Sequence, residues 1–212
     1  MTVISSTLPP SRAGSVVLIA GDLALNFANS ESGRGYPTHQ DHLQAPGDVA
    51  DWLQHAGALD ATATAELRAQ LAADPVLAAA LLADARCLRD DVHAVASAIA
   101  RRDSPPAAAL DSLAALHARW LAAAKLASDG ERLAWRWRLA DAPAAAALGP
   151  VALAAVALIA ARDPARIRQC DGVACGWLFY DESKNNRRRW CEMEVCGNRA
   201  KQRRRAARGR EA

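Results

Sequence analysis

Four of the five cysteines in this 212-residue chain fall in one short stretch, as Cys170, Cys175, Cys191 and Cys196. Each pair brackets four residues, and fifteen residues separate the pairs. Two close pairs of thiolates joined by a longer loop are the donor set of a structural zinc ion, which takes four ligands in a tetrahedron. Fifteen residues suffice for the chain to return: "GWLFY" leads outward, "DESKNN" turns, and "RRRWC" comes back. Two disulfides or unlinked thiols are the alternatives. The paired spacing, and an N-terminus without a basic start and apolar run, favour a single structural Zn²⁺ on all four sulfurs. The metal also meets an energetic need. A module of roughly forty basic and polar residues buries too little apolar surface to fold alone, and a structural zinc contributes on the order of 10 kcal/mol.

The second chemical feature is positive charge. Arg187, Arg188 and Arg189 stand before the third cysteine of the set. Arg199, Lys201, Arg203, Arg204, Arg205 and Arg208 follow the fourth, among good helix formers once Gly197 and Asn198 are passed. A helix there puts Arg199 and Arg203 on one face and spreads the other cations around it. Such a helix has little apolar face, so it needs a metal at one end or a polyanion along its side. Guanidinium forks suit phosphate, and Asn198 and Arg199 at the helix start are placed to reach a groove edge. From Arg162 onward, 14 Lys and Arg face 7 Asp and Glu, whereas the preceding chain has 12 against 16. Codon bias spreads arginine everywhere; an excess at one end points to a polyanionic partner for that end. DNA is the first expectation. RNA or a ribosome, an acidic protein partner and a merely solubilising tail stay open, because charge does not discriminate among them.

The elements that must position this module are mostly helical. Residues 1–14 read as a flexible leader, Val16 to Ile19 as a short strand, and Leu23 to Ala28 as a second strand or a helix start. A loop follows, then a helix capped by Asp48 and running through Ala56. Further helices are expected over about 61–72, 75–101 and 104–124. The second carries Leu77, Leu81, Leu88, Val92, Val95 and Ile99 as one stripe, with Cys87 read as a small buried side chain beside it. Asp129-Gly130 signals a hairpin turn, and Leu133, Trp135 and Trp137 alternate with polar or small neighbours, so a two-stranded ribbon is expected. A helix over about 144–162 follows. Its uncharged stretch is long enough for a membrane span, but its alanine content and Gly149-Pro150 favour a buried helix and no membrane partner. Asp163-Pro164 marks a boundary. The fold class is mainly α with small β elements (α+β): a helical sensor domain over 15–162, a small treble-clef-like four-cysteine zinc finger with its basic helix over 165–208, and a tail over 209–212.

No catalytic constellation stands out. His39, His42, His55, His93 and His117 are scattered. His39 and His42 share a loop with Asp41, but no fourth ligand sits at useful spacing. There is no phosphate-binding glycine loop and no Gly-x-Ser-x-Gly elbow. Four thiolates also close a zinc shell that catalysis needs open. The chain is therefore expected not to be an enzyme, and to be cytoplasmic and nucleoid-associated. A small-molecule effector pocket near Trp135 and Trp137 or the His39–His42 loop, and a homodimer, are further expectations for the body.

The segment "CDGVACGWLFYDESKNNRRRWCEMEVCGNRAKQRRRAAR" resembles the CGNR zinc finger, whose tetrapeptide stands here as Cys196-Gly197-Asn198-Arg199. "GDLALNFANS" (21–30) is similar to the early "LALDFVNT"-like signature of the ABATE domain that precedes this finger in bacterial proteins, and "DVADWLQHAGAL" (48–59) is similar to that domain's next helix. The resemblance implies a stress-induced transcription regulator. Asn26 stands where the signature has an acid. Asn can replace an acid that only caps local backbone; it would alter one that contacts an effector.

Overall fold

The protein is described by a computed structural model covering residues 12–128, 130 and 133–208. Residues 1–11 of the expected leader, Asp129 of the expected turn and the 209–212 tail lie outside the described residues. Seven α-helices and three two-stranded antiparallel ribbons are present among those described, as the α+β reading expects.

Helix α4 (Pro75–Arg101) is the central strut. The Asp74 carboxylate accepts the N–H groups of Val76 and Leu77 at 2.9 and 3.0 Å, and Pro75 loses nothing in a first turn whose N–H has no helical partner. Leu81, Leu88, Val92 and Val95 of the expected stripe are buried, while Leu77 and Ile99 are half-buried at its ends. Packed on this stripe are α1 (Leu23–Ala28), α2 (Pro46–His55), α3 (Ala61–Ala73), α5 (Ala107–Leu121) and α6 (Pro143–Ala161). At its far end α4 also packs on strand β5 (Ile167–Gln169), so one helix supports both the helical body and the cysteine-rich segment.

Several local expectations are corrected. Val16 to Ile19 is not a strand but irregular chain, whose carbonyls serve other elements: Val16 O accepts from His55 Nε2 at 2.7 Å, and Ile19 O from Arg188. Arg12–Ser15 forms a short 3₁₀ turn with Ala13 fully buried, so residues 12–14 belong to the body rather than to a loose leader. Leu23 to Ala28 is a helix, because the Asp22 carboxylate accepts Ala24 N–H at 2.8 Å and opens it. The next helix starts at Pro46, two residues before Asp48. Asp48 lies inside the first turn and reaches back to the Gln44 and Ala45 N–H groups at 2.9 and 2.8 Å. The expected loop holds a short ribbon, β1 (Glu31–Ser32) with β2 (Gln40–Asp41). Cys87 is exposed, not buried. It faces Asp91 and Ser112 at the edge of the stripe, 3.5 and 3.7 Å from their oxygens.

The expected tryptophan ribbon is present as β3 (Lys125–Ser128) paired with β4 (Leu133–Arg136) in the register Leu126–Trp135. Just after it, Trp137 donates its indole N–H to the Trp120 carbonyl at 2.8 Å and packs its ring against α6 at Gly149. A Cβ at Gly149 would stand 2.7 Å from the Trp137 ring, so the glycine is what lets the ring lie there. Helix α6 is, among the described residues, the one helix long and apolar enough to cross a membrane. It also packs against α1, α4 and α5, burying Leu148, Val151, Ala155 and Leu158.

Candidate metal centre and basic helix

The first cysteine pair sits on a β-hairpin. Strand β5 pairs with β6 (Leu178–Tyr180), Ile167 opposite Tyr180 and Gln169 opposite Leu178. Cys170 and Cys175 occupy the connection, where Ala174 and Gly176 take left-handed backbone with φ of 61° and 72° to turn the chain. This corrects the expected hairpin. The strand "LFY" pairs upstream with 167–169, and Arg187–Arg189 returns as irregular chain outside any ladder. The cause is Asp181, a buried carboxylate that accepts Ser183 N–H at 2.9 Å and Arg188 N–H at 2.8 Å. The returning chain therefore hangs on a side chain, and Arg189 O accepts Asp171 N–H at 2.9 Å to tie it to the first knuckle.

The second pair brackets a wide turn. Cys191 precedes a single π-helical turn (Met193–Gly197), in which both Cys196 and Gly197 donate to Glu192 O. This turn runs directly into α7 (Asn198–Arg208). A hairpin knuckle plus a turn at a helix start is the treble-clef-like arrangement expected.

The four sulfurs lie within 4.8 Å of one another, with Cys175–Cys191 at 3.6 Å and Cys191–Cys196 at 3.7 Å. Four thiolates about 2.3 Å from a tetrahedral zinc would stand roughly 3.8 Å apart, so the spacing fits such an ion. Cys170, Cys191 and Cys196 are buried, Cys175 half-buried. Gly172 approaches so closely that a Cβ there would meet the Cys196 and Cys170 sulfurs at 3.0 and 3.2 Å, and its N–H points at Cys170 Sγ from 3.3 Å. Hydrogen bonds from Cys175 and Cys191 hold the Cys170 thiol far below the usual thiol range, while the bond to Cys170 pushes Cys175 up. Cys191 is pushed up by the same neighbours, and Cys196 by burial and the charge on Cys170. One thiolate suppresses the ionisation of the rest, which is the electrostatic problem a dication removes. Among the described residues no second group of ligand type comes together. In particular, His39 Nε2 lies 2.7 Å from Glu31 and Asp41 pairs with Arg89, so these two side chains of the His39–His42 loop are engaged elsewhere.

The cations predicted to meet a polyanion separate into two sets. Arg199, Lys201, Arg203, Arg204, Arg205 and Arg208 are all exposed on α7, which has no buried residue and no acid. Asn198 is exposed too, but its amide donates to Glu194 O at 2.9 Å and caps the junction. Arg187 is exposed. Arg189 is exposed, paired with Asp171 at 2.7 Å and stacked near Trp190. Arg188 differs. It is half-buried, lies 4.4 Å over the Phe179 ring, and donates to the carbonyls of Ile19, Trp190 and Cys191. Its role is to hold chain segments together.

Sequence reasoning does not find the contacts between this module and the body. Asn29 is buried and pairs twice with β6: its Nδ2 donates to Leu178 O and its Oδ1 accepts Leu178 N–H, both at 2.8 Å. Tyr180 N–H donates to Ala20 O at 2.7 Å, and Gly33 N–H to Cys175 O at 3.2 Å. Arg162 lies 3.6 Å over the Tyr180 ring while reaching Asp22 at 3.1 Å. Asn26 accepts Ala20 N–H at 3.0 Å, a local backbone cap in which an amide oxygen serves as well as a carboxylate. The stretch "GDLALNFANS" is thus largely the seat of the finger. Its Asx residues are the available signal: three Asp or Asn in ten residues is a surplus of local capping groups.

A family model for ABATE, described as "Putative stress-induced transcription regulator", matches residues 21–162, and one for the CGNR zinc finger matches residues 166–209. No curated protein matches the chain.

Proposed function

Because the chain belongs to the ABATE family and ends in a CGNR zinc finger, we propose that it is a DNA-binding transcription regulator in which one Zn²⁺ on Cys170, Cys175, Cys191 and Cys196 fixes a basic helix for contact with phosphates. The observation that carries this reading is α7. Six of its eleven residues are Lys or Arg, none is acidic, and none is buried. A helix without an apolar face gains its stability elsewhere, here from the metal-bound turn at its start and a polyanion along its side. Arg187 and Arg189 flank the same end of the finger, and Arg199 with Arg203 forms the row nearest the sulfurs. The protein acts by binding rather than by catalysis, since four thiolates leave the ion no open position.

The test selects sequences from a random duplex pool with the zinc-loaded full chain, then measures affinity against salt. Neutralising phosphates with the six α7 cations gives a slope of about −5 in log K against log salt. Changing Arg203, Arg204 and Arg205 to Ala removes about three units of that slope and disturbs no packed side chain. An enriched motif is expected. Undiminished binding by Cys196→Ser would remove the role of the metal, and stronger binding to structured RNA at matched salt would replace DNA as the partner.

A further inference from the structure

A second concentration of guanidinium groups lies away from α7, in a cleft of about 750 Å³ between the helical body and the finger. The body supplies Arg34 and Tyr36 from the β1–β2 turn and His93 and Arg101 from α4; the finger supplies Arg168 of β5 and Arg188–Arg189. Five arginines therefore line one concavity, and Asp171 is the one acid in its wall. No residue of α7 lines it; Arg199 and Arg203 line a different recess beside Cys175 and Cys196.

The charges in this cleft are unequally matched. Arg34 pairs with Glu31 and Asp90, Arg101 with Asp103, and Arg189 with Asp171. Arg168 and Arg188 have only neutral acceptors: Arg168 reaches the backbone and side-chain oxygens of Asn186 at 3.1 and 3.3 Å, and Arg188 the three carbonyls given above. Among the described residues, neither has a carboxylate within ion-pair distance. The Nε–H groups of Arg34 and Arg168 are also shielded from solvent without an acceptor. Orphaned buried donors of this kind cost free energy, and around them five arginines against one acid leave the cleft wall with an excess of positive charge for an anion to neutralise.

We propose that this cleft is a binding site for a small phosphorylated molecule, held by Arg168 from the finger and Arg34 and Arg101 from the body. Guanidinium forks match phosphate oxygens bidentately, and the volume lies within the usual range for small-ligand pockets. A concave site between two parts of the chain suits a free ligand. A duplex presents its phosphates on a convex surface and meets α7 instead. Because the walls come from both sides, the ligand stabilises the docked arrangement of finger and body. This gives the effector expected for the family body a chemical class and a location, away from the Trp135–Trp137 groove. The site stands independently of DNA binding by α7.

The experiment titrates the zinc-loaded full chain by calorimetry with AMP, with inorganic phosphate, and with adenosine as the uncharged control. A pH of about 7.5 leaves the ester dianionic. AMP and phosphate bind saturably at one site, and adenosine does not. Losing a charge-assisted hydrogen bond weakens binding about tenfold or more in Arg168→Gln and Arg34→Gln. Arg101→Gln guards against misfolding, because that side chain is 55% exposed and its ion pair is with Asp103 alone; it weakens AMP binding with unchanged circular dichroism and zinc content. Absence of saturable binding at millimolar AMP overturns the proposal. So does undiminished, wild-type affinity in all three variants, or displacement of AMP by duplex DNA together with a matching loss of DNA affinity in Arg168→Gln, which would make the cleft part of the nucleic-acid interface.

Discussion

Replacing Asn29 tests whether the finger is built onto the body or merely tethered to it. The Asn29 amide makes two hydrogen bonds of 2.8 Å to the backbone of Leu178 in β6, and both residues are buried, with Asn29 at 1% exposure and Leu178 at 0%. Asn29→Leu keeps the branched shape with added bulk and leaves the Leu178 N–H and C=O without partners. Each lost bond costs about 1 kcal/mol net, and each buried orphan raises that toward 1–3 kcal/mol, so the change should destabilise by roughly 2–6 kcal/mol. Asn29→Asp keeps the acceptor for Leu178 N–H but sets a carboxylate oxygen against Leu178 O, so it should be no milder than the loss of one bond. Urea unfolding of the zinc-loaded chain, followed by far-ultraviolet circular dichroism and by release of zinc to a chromogenic chelator, reads both halves. Loss of the clamp should lower the midpoint and speed metal release together. A change below about 0.5 kcal/mol, the usual scatter of surface substitutions, would refute the reasoning. So would faster zinc release with an unaltered body transition, which would show the two parts unfolding independently.

Two further outcomes follow from packing and charge. Gly149→Ala should cost about 1–3 kcal/mol by the overpacking rule, since its Cβ would lie 2.7 Å from the Trp137 ring and displace it from the Trp120 carbonyl; thermal unfolding and a shift in tryptophan emission check it. Burial, with the Arg34 charge next, pushes His93 down from 6.5 to about 4, so between these values the unfolded chain binds the proton and the folded chain does not. The His93 contribution is complete above pH 6.5 and is lost as pH falls toward 4, so stability declines over that window. Metal release on acidification acts in the same direction, so the measurement is the difference in pH slope between the protein and His93→Gln, and equal slopes would contradict the assignment.

Local chemistry is legible wherever a few adjacent residues settle it. The two cysteine pairs announce one four-sulfur cluster, because a chelating bite depends only on close spacing and a returning loop. The stripe Leu81, Leu88, Val92 and Val95 gives the central helix, because periodicity is a property of one element. The alternating Leu133 and Trp135 give the ribbon for the same reason. Errors arise where a distant partner chooses between local options. Val16 to Ile19 has strand composition, yet its carbonyls are taken singly by His55 and Arg188, and among the described residues it belongs to no ladder. Spacing suggests that "RRRWC" pairs with "LFY", but the buried Asp181 carboxylate holds Arg188 N–H instead, and β6 pairs with β5. Cys87 sits one position from Leu88, and a helical wheel does not show where the stripe's edge meets solvent.

By itself the sequence determined the four-cysteine cluster, the basic helix after it and the helical class of the body, since each follows from spacing or period within one segment. Only the tertiary structure decided that Asn29 and Ala20 hold β6, that Arg188 turns inward while its neighbours face out, and that Arg34, Arg101 and Arg168 share a cleft. The Asn29 clamp alone joins residues 149 positions apart. Sequence spacing has no bearing on such contacts, which are fixed by where α4 lays the hairpin against the body and by the need of each buried N–H and C=O for a partner.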